Sequence, residues 1–196
     1  MRLSQFVTKT IPLVLATAML SLNLTACVPV AAGGAASGGL MAADRRTSGA
    51  YIEDQAIEFK TERHIGEQLG DKIHINVTSY NRNVLLSGEA TDEATKTKAE
   101  AIAKMTENVR SVTNELAIGM ISSMTSRGND SYLTSKVKGR MISENRFPPI
   151  YVKVVTENSV IYLMGMVTHK EAEDAVDIAR STDGVERVVK VFEYID

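Results

Sequence analysis

The chain has 196 residues, with 22 Lys and Arg against 24 Asp and Glu, no tryptophan and a single cysteine. A net charge of −2 argues against general nucleic-acid binding, which rests on a basic surface. One cysteine excludes an internal disulfide.

Residues 1–26 read as a lipoprotein signal peptide. Arg2 and Lys9 give a short positive start, and no acidic residue precedes Asp44. The apolar run from Ile11 to Leu24, about 14 residues, falls short of the roughly 20 that span a bilayer but suits a secretory leader. It ends in Leu24-Thr25-Ala26-Cys27, which resembles the bacterial lipobox. Cleavage before Cys27 and lipidation of its thiol are therefore expected, with that covalent lipid as the only cofactor. A mature bacterial lipoprotein cysteine normally carries three acyl chains, enough for stable attachment where one is marginal. Lipoproteins of Gram-negative type kept in the inner membrane commonly have Asp after the cysteine. Val28 stands there, which implies the outer membrane, facing the periplasm. Loss of the leader removes two basic and no acidic side chains, leaving the mature chain near −4. Residues 27–50 are expected to be the lipidated Cys and a flexible tether, rich in Ala, Gly and Ser, with a reach of roughly 25 Å.

The rest of the chain repeats itself. With Gly88 placed over Gly165, Ile75 and Val77 fall on Val152 and Val154, Asn81 on Asn158, and Val84-Leu85-Leu86 on Ile161-Tyr162-Leu163. Upstream, with one residue of slippage, Asp54, Ile57 and Ile65 match Asp130, Leu133 and Met141. Downstream, Ile102-Ala103 falls on Ile178-Ala179, and Val109, Val112 and Leu116 meet Val185, Val188 and Phe192. Two copies of one unit follow, at 51–119 and 129–196.

Each copy reads helix, strand, strand, helix, strand. In the second, Leu133, Val137 and Met141 form one helical face, with Asp130 expected as its N-cap and Pro148-Pro149 barring continuation. Tyr151–Val155 and Val160–Met164 read as strands joined by a turn at 157–159. His169 to Ser181 reads as a helix capped by Thr168 and closed by Asp183-Gly184. Val185 to Tyr194 reads as the last strand.

This pattern resembles the BON domain. The likeness rests on Leu86-Ser87-Gly88 and Leu163-Met164-Gly165, on the Ile-Ala of the following helix, and on the turns at Asn108-Val109 and Gly184-Val185. Asn108 stands where that family usually has Gly, a tolerable change because Asn accepts a left-handed backbone. Lipobox, tether and two such units together look like the dual-BON outer-membrane lipoproteins of the DolP type. The resemblance implies an α+β fold of two tandem BON domains, each a three-stranded mixed sheet packed against two helices (α-β-β-α-β). It also implies a part in outer-membrane integrity, enrichment at division sites, and binding of anionic phospholipid such as phosphatidylglycerol or cardiolipin through the second domain.

No catalytic constellation is legible. His64, His74 and His169 show no metal-ligand spacing, and no nucleophile elbow, phosphate loop or zinc-hydrolase signature appears. Neither an enzyme nor a metal protein is expected.

The binding face is read from a difference between the copies. In the first helix of copy one, Glu53, Asp54, Glu58 and Glu62 outnumber Lys60 and Arg63. In copy two, Lys136, Lys138 and Arg140 outnumber Asp130 and Glu144, with Arg127 and Arg146 at the ends. The cationic helix is the better match for anionic headgroups. With Leu133, Val137 and Met141 inward, Tyr132, Lys136, Gly139 and Ser143 line the outer stripe and Ile142 lies beside it. The expected phospholipid contact is Tyr132, Lys136, Lys138, Arg140 and Ile142. The rival expectation is an adaptor docking onto an envelope assembly or cell-wall-processing protein, with Phe59, off the Ile57/Ile65 face, as its pointer.

Overall fold

The structure, a computed structural model, describes residues 44–120 and 124–196. The expected leader, Cys27 and the tether up to residue 43 lie outside these.

The first repeat runs α1 (Ser48–Leu69), β1 (Ile73–Tyr80), β2 (Asn83–Ala90), α2 (Glu93–Met105), β3 (Ser111–Asn114) and a short β4 (Ala117–Ile118). The second runs α3 (Met124–Glu144), β5 (Lys153–Glu157), β6 (Val160–Val167), α4 (His169–Arg180) and β7 (Arg187–Tyr194). In each, an antiparallel hairpin continues into a parallel strand, β1-β2-β3 and β5-β6-β7, which is the expected mixed sheet. The first repeat differs in that its last strand is split, with β4 also pairing β2. At the break, Asn114 Oδ1 accepts the Leu116 N–H at 3.3 Å, a local bond that competes with the ladder.

The helix starts depart from expectation. α1 begins inside the presumed tether, at Ser48, because Thr47 Oγ1 accepts the Ala50 N–H and caps it. α3 begins six residues before Asp130, so Asp130 is no N-cap; it lies within the helix and is buried. Its carboxylate accepts the backbone N–H groups of Asn158 (3.0 Å) and Ser159 (2.9 Å). Both turn residues have positive φ, as a two-residue type I′ hairpin requires. The first repeat does the same: Asp54 takes the N–H groups of Asn81 and Arg82, at 2.8 and 2.7 Å, together with Ser79 Oγ at 2.6 Å. Thus the duplicated aspartates staple each first helix to its hairpin. The paired glycines are packing requirements, since a Cβ at Gly88 would collide with the His74 carbonyl and one at Gly165 with that of Tyr151.

Each sheet buries one face under its own helices. Ile57, Ile65, Val84, Leu86, Ile102 and Leu116 fill the first core, and Val137, Met141, Ile161, Leu163, Ala175 and Ile178 the second. Strand side chains alternate, so Leu85, Tyr162 and Met164 point the other way. They join Tyr80 in a third buried core, with Val155, Val189 and Val191 against it, where the two domains meet. Polar links reinforce the seam: Lys153 pairs with Glu58 at 2.8 Å, Asn76 donates to Glu157 at 2.7 Å and Asn81 to Glu193 at 2.8 Å. Residues 43–196 accordingly form one compact unit.

Asp44, Arg45 and Arg46, also expected in the tether, strap across this unit. Arg45 lies over the Tyr151 ring at 3.8 Å, pairs with Glu171 at 2.6 Å and donates to the Met166 carbonyl at 2.8 Å. Arg46 lies over Tyr80 at 4.0 Å and pairs with Asp44 and Asp54.

Candidate functional site

Helix α3 takes its orientation from the inward face: Leu133, Val137 and Met141 are buried, and the opposite face is open. On that face Tyr132 is 64% exposed and Ile142 65%. The ten-residue step from one to the other spans about 15 Å of helix. Exposed Ser135 and Gly139 lie between them, and a Cβ at Gly139 would meet nothing within 4 Å. A ring and an aliphatic side chain therefore project from a low ridge that lets the backbone approach a flat surface.

The cations divide into two groups. Lys138 is exposed beside the ridge. Lys136, half-buried on the other side, donates to the Asp183 carbonyl at 3.0 Å, with the exposed Asp183 carboxylate 3.7 Å away. Such pairs are weak in water, so the amine can exchange its partner for a phosphate. Arg140 is placed differently. Its Nη1 donates to the Ile178 carbonyl, Ser181 Oγ and Thr182 Oγ1, each at 3.0 Å, and its Nη2 to Glu144 at 2.6 Å. That guanidinium caps the C-terminal end of α4, so it holds the site in place and offers little charge to a ligand. Arg146, counted toward the basic region, is likewise neutralised by Asp177 and Glu144, each at 2.7 Å; the hydrogen bond to Asp177, and then the charge of Glu144, hold its pKa above the ordinary arginine value.

The structure thus brings Tyr132, Lys136, Lys138 and Ile142 onto one accessible surface and sets Arg140 behind it. Sequence spacing could not distinguish Arg140 from the lysines, because its partners come from α4 and the turn after it. Phe59 on α1 is 67% exposed, on the same face as exposed Ile52 two turns earlier. Among the described residues no helix is long and apolar enough to cross a membrane.

Comparison with known proteins adds a family. The BON domain profile matches residues 53–120 and again 129–196. The chain is 39% identical over 175 residues to "Outer membrane lipoprotein DolP" of Haemophilus influenzae, covering 88% of this chain and 91% of that one. It is 30% identical to a "21 kDa hemolysin" of Actinobacillus pleuropneumoniae, over 78% and 79% of the two chains. It is also 30% identical to "Osmotically-inducible protein Y" of Escherichia coli, over 71% and 72%.

Proposed function

This chain belongs to the BON domain family, among the dual-domain outer-membrane lipoproteins of the DolP type, and from that premise we propose that it binds anionic phospholipid through the open face of α3, without catalysis. The observation that carries the reading is the exposure of Tyr132 and Ile142 beside Lys136 and Lys138. An amphipathic ring and an aliphatic chain enter the headgroup region while amines flank them and pair with phosphate. Each lysine contributes about 1 kcal/mol near an anionic surface. That makes a weak contact, and weak is sufficient where a lipid on Cys27 already holds the protein at the bilayer. The duplicate helix α1 carries more acidic than basic side chains, with Glu53, Glu58 and Glu62 among them, and its domain serves as a scaffold. Through this contact the protein reads the composition of the inner leaflet of the outer membrane, supporting envelope integrity and action at division sites.

The test is co-sedimentation of the 43–196 fragment, which retains all three cores and the strap, with phosphatidylglycerol and with neutral vesicles. Binding only to the anionic vesicles, weakened by salt and lowered about thirtyfold or more by Lys136→Glu with Lys138→Glu, is the expected result. Unchanged binding by the folded double variant would sink the proposal.

A second reading is favoured by one observation, the exposed Ile52 and Phe59 pair on α1: an adaptor surface for an envelope or cell-wall-processing protein. Photo-crosslinking from position 59 in intact cells tests it, and only a discrete protein adduct supports it.

A further inference from the structure

A second site lies where the domains meet, away from the ridge of α3. His74 of β1, Glu89 of β2 and Glu157 of β5 each offer one ligand atom, and these atoms all lie within 4.8 Å of one another. Glu89 is 3% exposed and Glu157 4%. Among the described residues, Glu89 Oε2 and His74 Nε2 are both buried without a hydrogen-bond partner, a costly state for polar atoms. The remaining carboxylate oxygens are oriented from across the seam, Glu157 by the Asn76 amide and Glu89 by the Asn158 amide. Outer-shell hydrogen bonds of this kind hold ligating carboxylates in place in metal centres.

The duplication shows that packing does not demand these residues. The alignment that sets Gly88 on Gly165 sets His74 on Tyr151, Glu89 on Met166 and Glu157 on Tyr80. At the sibling positions, Tyr80 and Met166 belong to the apolar core between the domains, and Arg45 lies over Tyr151. The fold therefore closes one half of its pseudo-symmetric seam with rings, a thioether and the Arg45-Arg46 strap. The other half holds an imidazole and two buried carboxylates.

Charge points the same way. Asp130, 5% exposed, and Arg127 line with His74 and Glu157 a cavity of about 300 Å³. Fully ionised, Asp130, Glu89 and Glu157 carry two more negative charges than Arg127 offsets. Three atoms at this spacing leave a centre at most about 2.8 Å from each, within a small side-chain adjustment of the 2.0–2.2 Å of zinc–nitrogen and zinc–oxygen bonds. Calcium and magnesium favour all-oxygen sets, whereas an imidazole among the donors favours a transition ion.

We propose that His74, Glu89 and Glu157 form a site for a divalent transition cation of the zinc class, with ligands from both domains, so that the ion clamps the seam. This stands apart from phospholipid binding, since none of the three residues lies on α3.

The test is zinc titration of the full mature chain, stripped with chelator and held in detergent micelles, followed by calorimetry and by thermal unfolding. One zinc per chain and a rise in Tm of several degrees are expected. His74→Gln and Glu157→Gln should each weaken binding by at least a hundredfold, beyond the roughly ten- to hundredfold lost with an outer-shell partner. His64→Gln and His169→Gln should leave it unchanged. Should His74→Gln misfold, Glu157→Gln carries the test, because it removes the charge while keeping the side chain's shape and one oxygen to accept the Asn76 amide. Absence of saturable zinc binding to the folded wild-type chain, or equal binding by folded Glu157→Gln, overturns the proposal.

Discussion

At the scale of single residues, the paired aspartates of the first helices hold the hairpin turns and cap neither helix. Asp130 accepts two backbone donors that have no other acceptor among the described residues: its loss leaves the Asn158 and Ser159 N–H groups unpaired in a tight turn. Asp130→Ala is expected to cost about 2–4 kcal/mol, read from urea denaturation. Tyr132→Ala, on the open face, should cost under about 0.5 kcal/mol yet weaken binding to anionic vesicles. The duplicated Asp was legible in the sequence and its task was not, because its partners lie in a turn 28 residues away. The strap adds a pH dependence. The hydrogen bonds from Arg45 hold the Glu171 carboxyl below the usual carboxylate range. Its contribution to stability is therefore whole above the unfolded value and is lost as pH falls through the lowered folded one. Arg45→Met should destabilise the protein at neutral pH and by a smaller amount at acid pH; an equal loss at both contradicts this assignment.

At the scale of elements, the inward faces were readable because Leu133, Val137 and Met141 recur every four residues, a helical period. The start of α3 was not, since Thr125, Ser126, Gly128 and Asn129 are weak helix formers and Asp130 looks like a cap. Nor was the division of labour among the cations. Arg140 donates to the Ile178 carbonyl and to the Ser181 and Thr182 hydroxyls at the end of α4, whereas Lys138 faces solvent. Arg140→Gln should therefore lower Tm while the folded protein keeps most of its vesicle binding. Lys138→Gln should do the reverse. If the two variants behave alike in both assays, α3 is not organised as described.

For the molecule as a whole, the unforeseen feature is the core between the domains. A signal for it was present: Val84-Leu85-Leu86 and Val160–Met164 are continuous apolar runs, where a sheet with one wet face would alternate. Burying both faces couples the repeats. Tyr162→Ala should cost about 3–5 kcal/mol and lower a single cooperative transition rather than split off one domain. Two domains joined by a shared core present α3 in a fixed pose, and in the function proposed above a lipid on Cys27 would keep it within reach of a bilayer. The most direct measurement of the account follows: paramagnetic broadening of the lipidated chain's backbone NMR signals by a headgroup-labelled anionic lipid in nanodiscs. Broadening concentrated on Tyr132, Lys138, Gly139 and Ile142, and lost in neutral nanodiscs, is predicted. Broadening centred on α1 around Phe59, or none on α3, would contradict it.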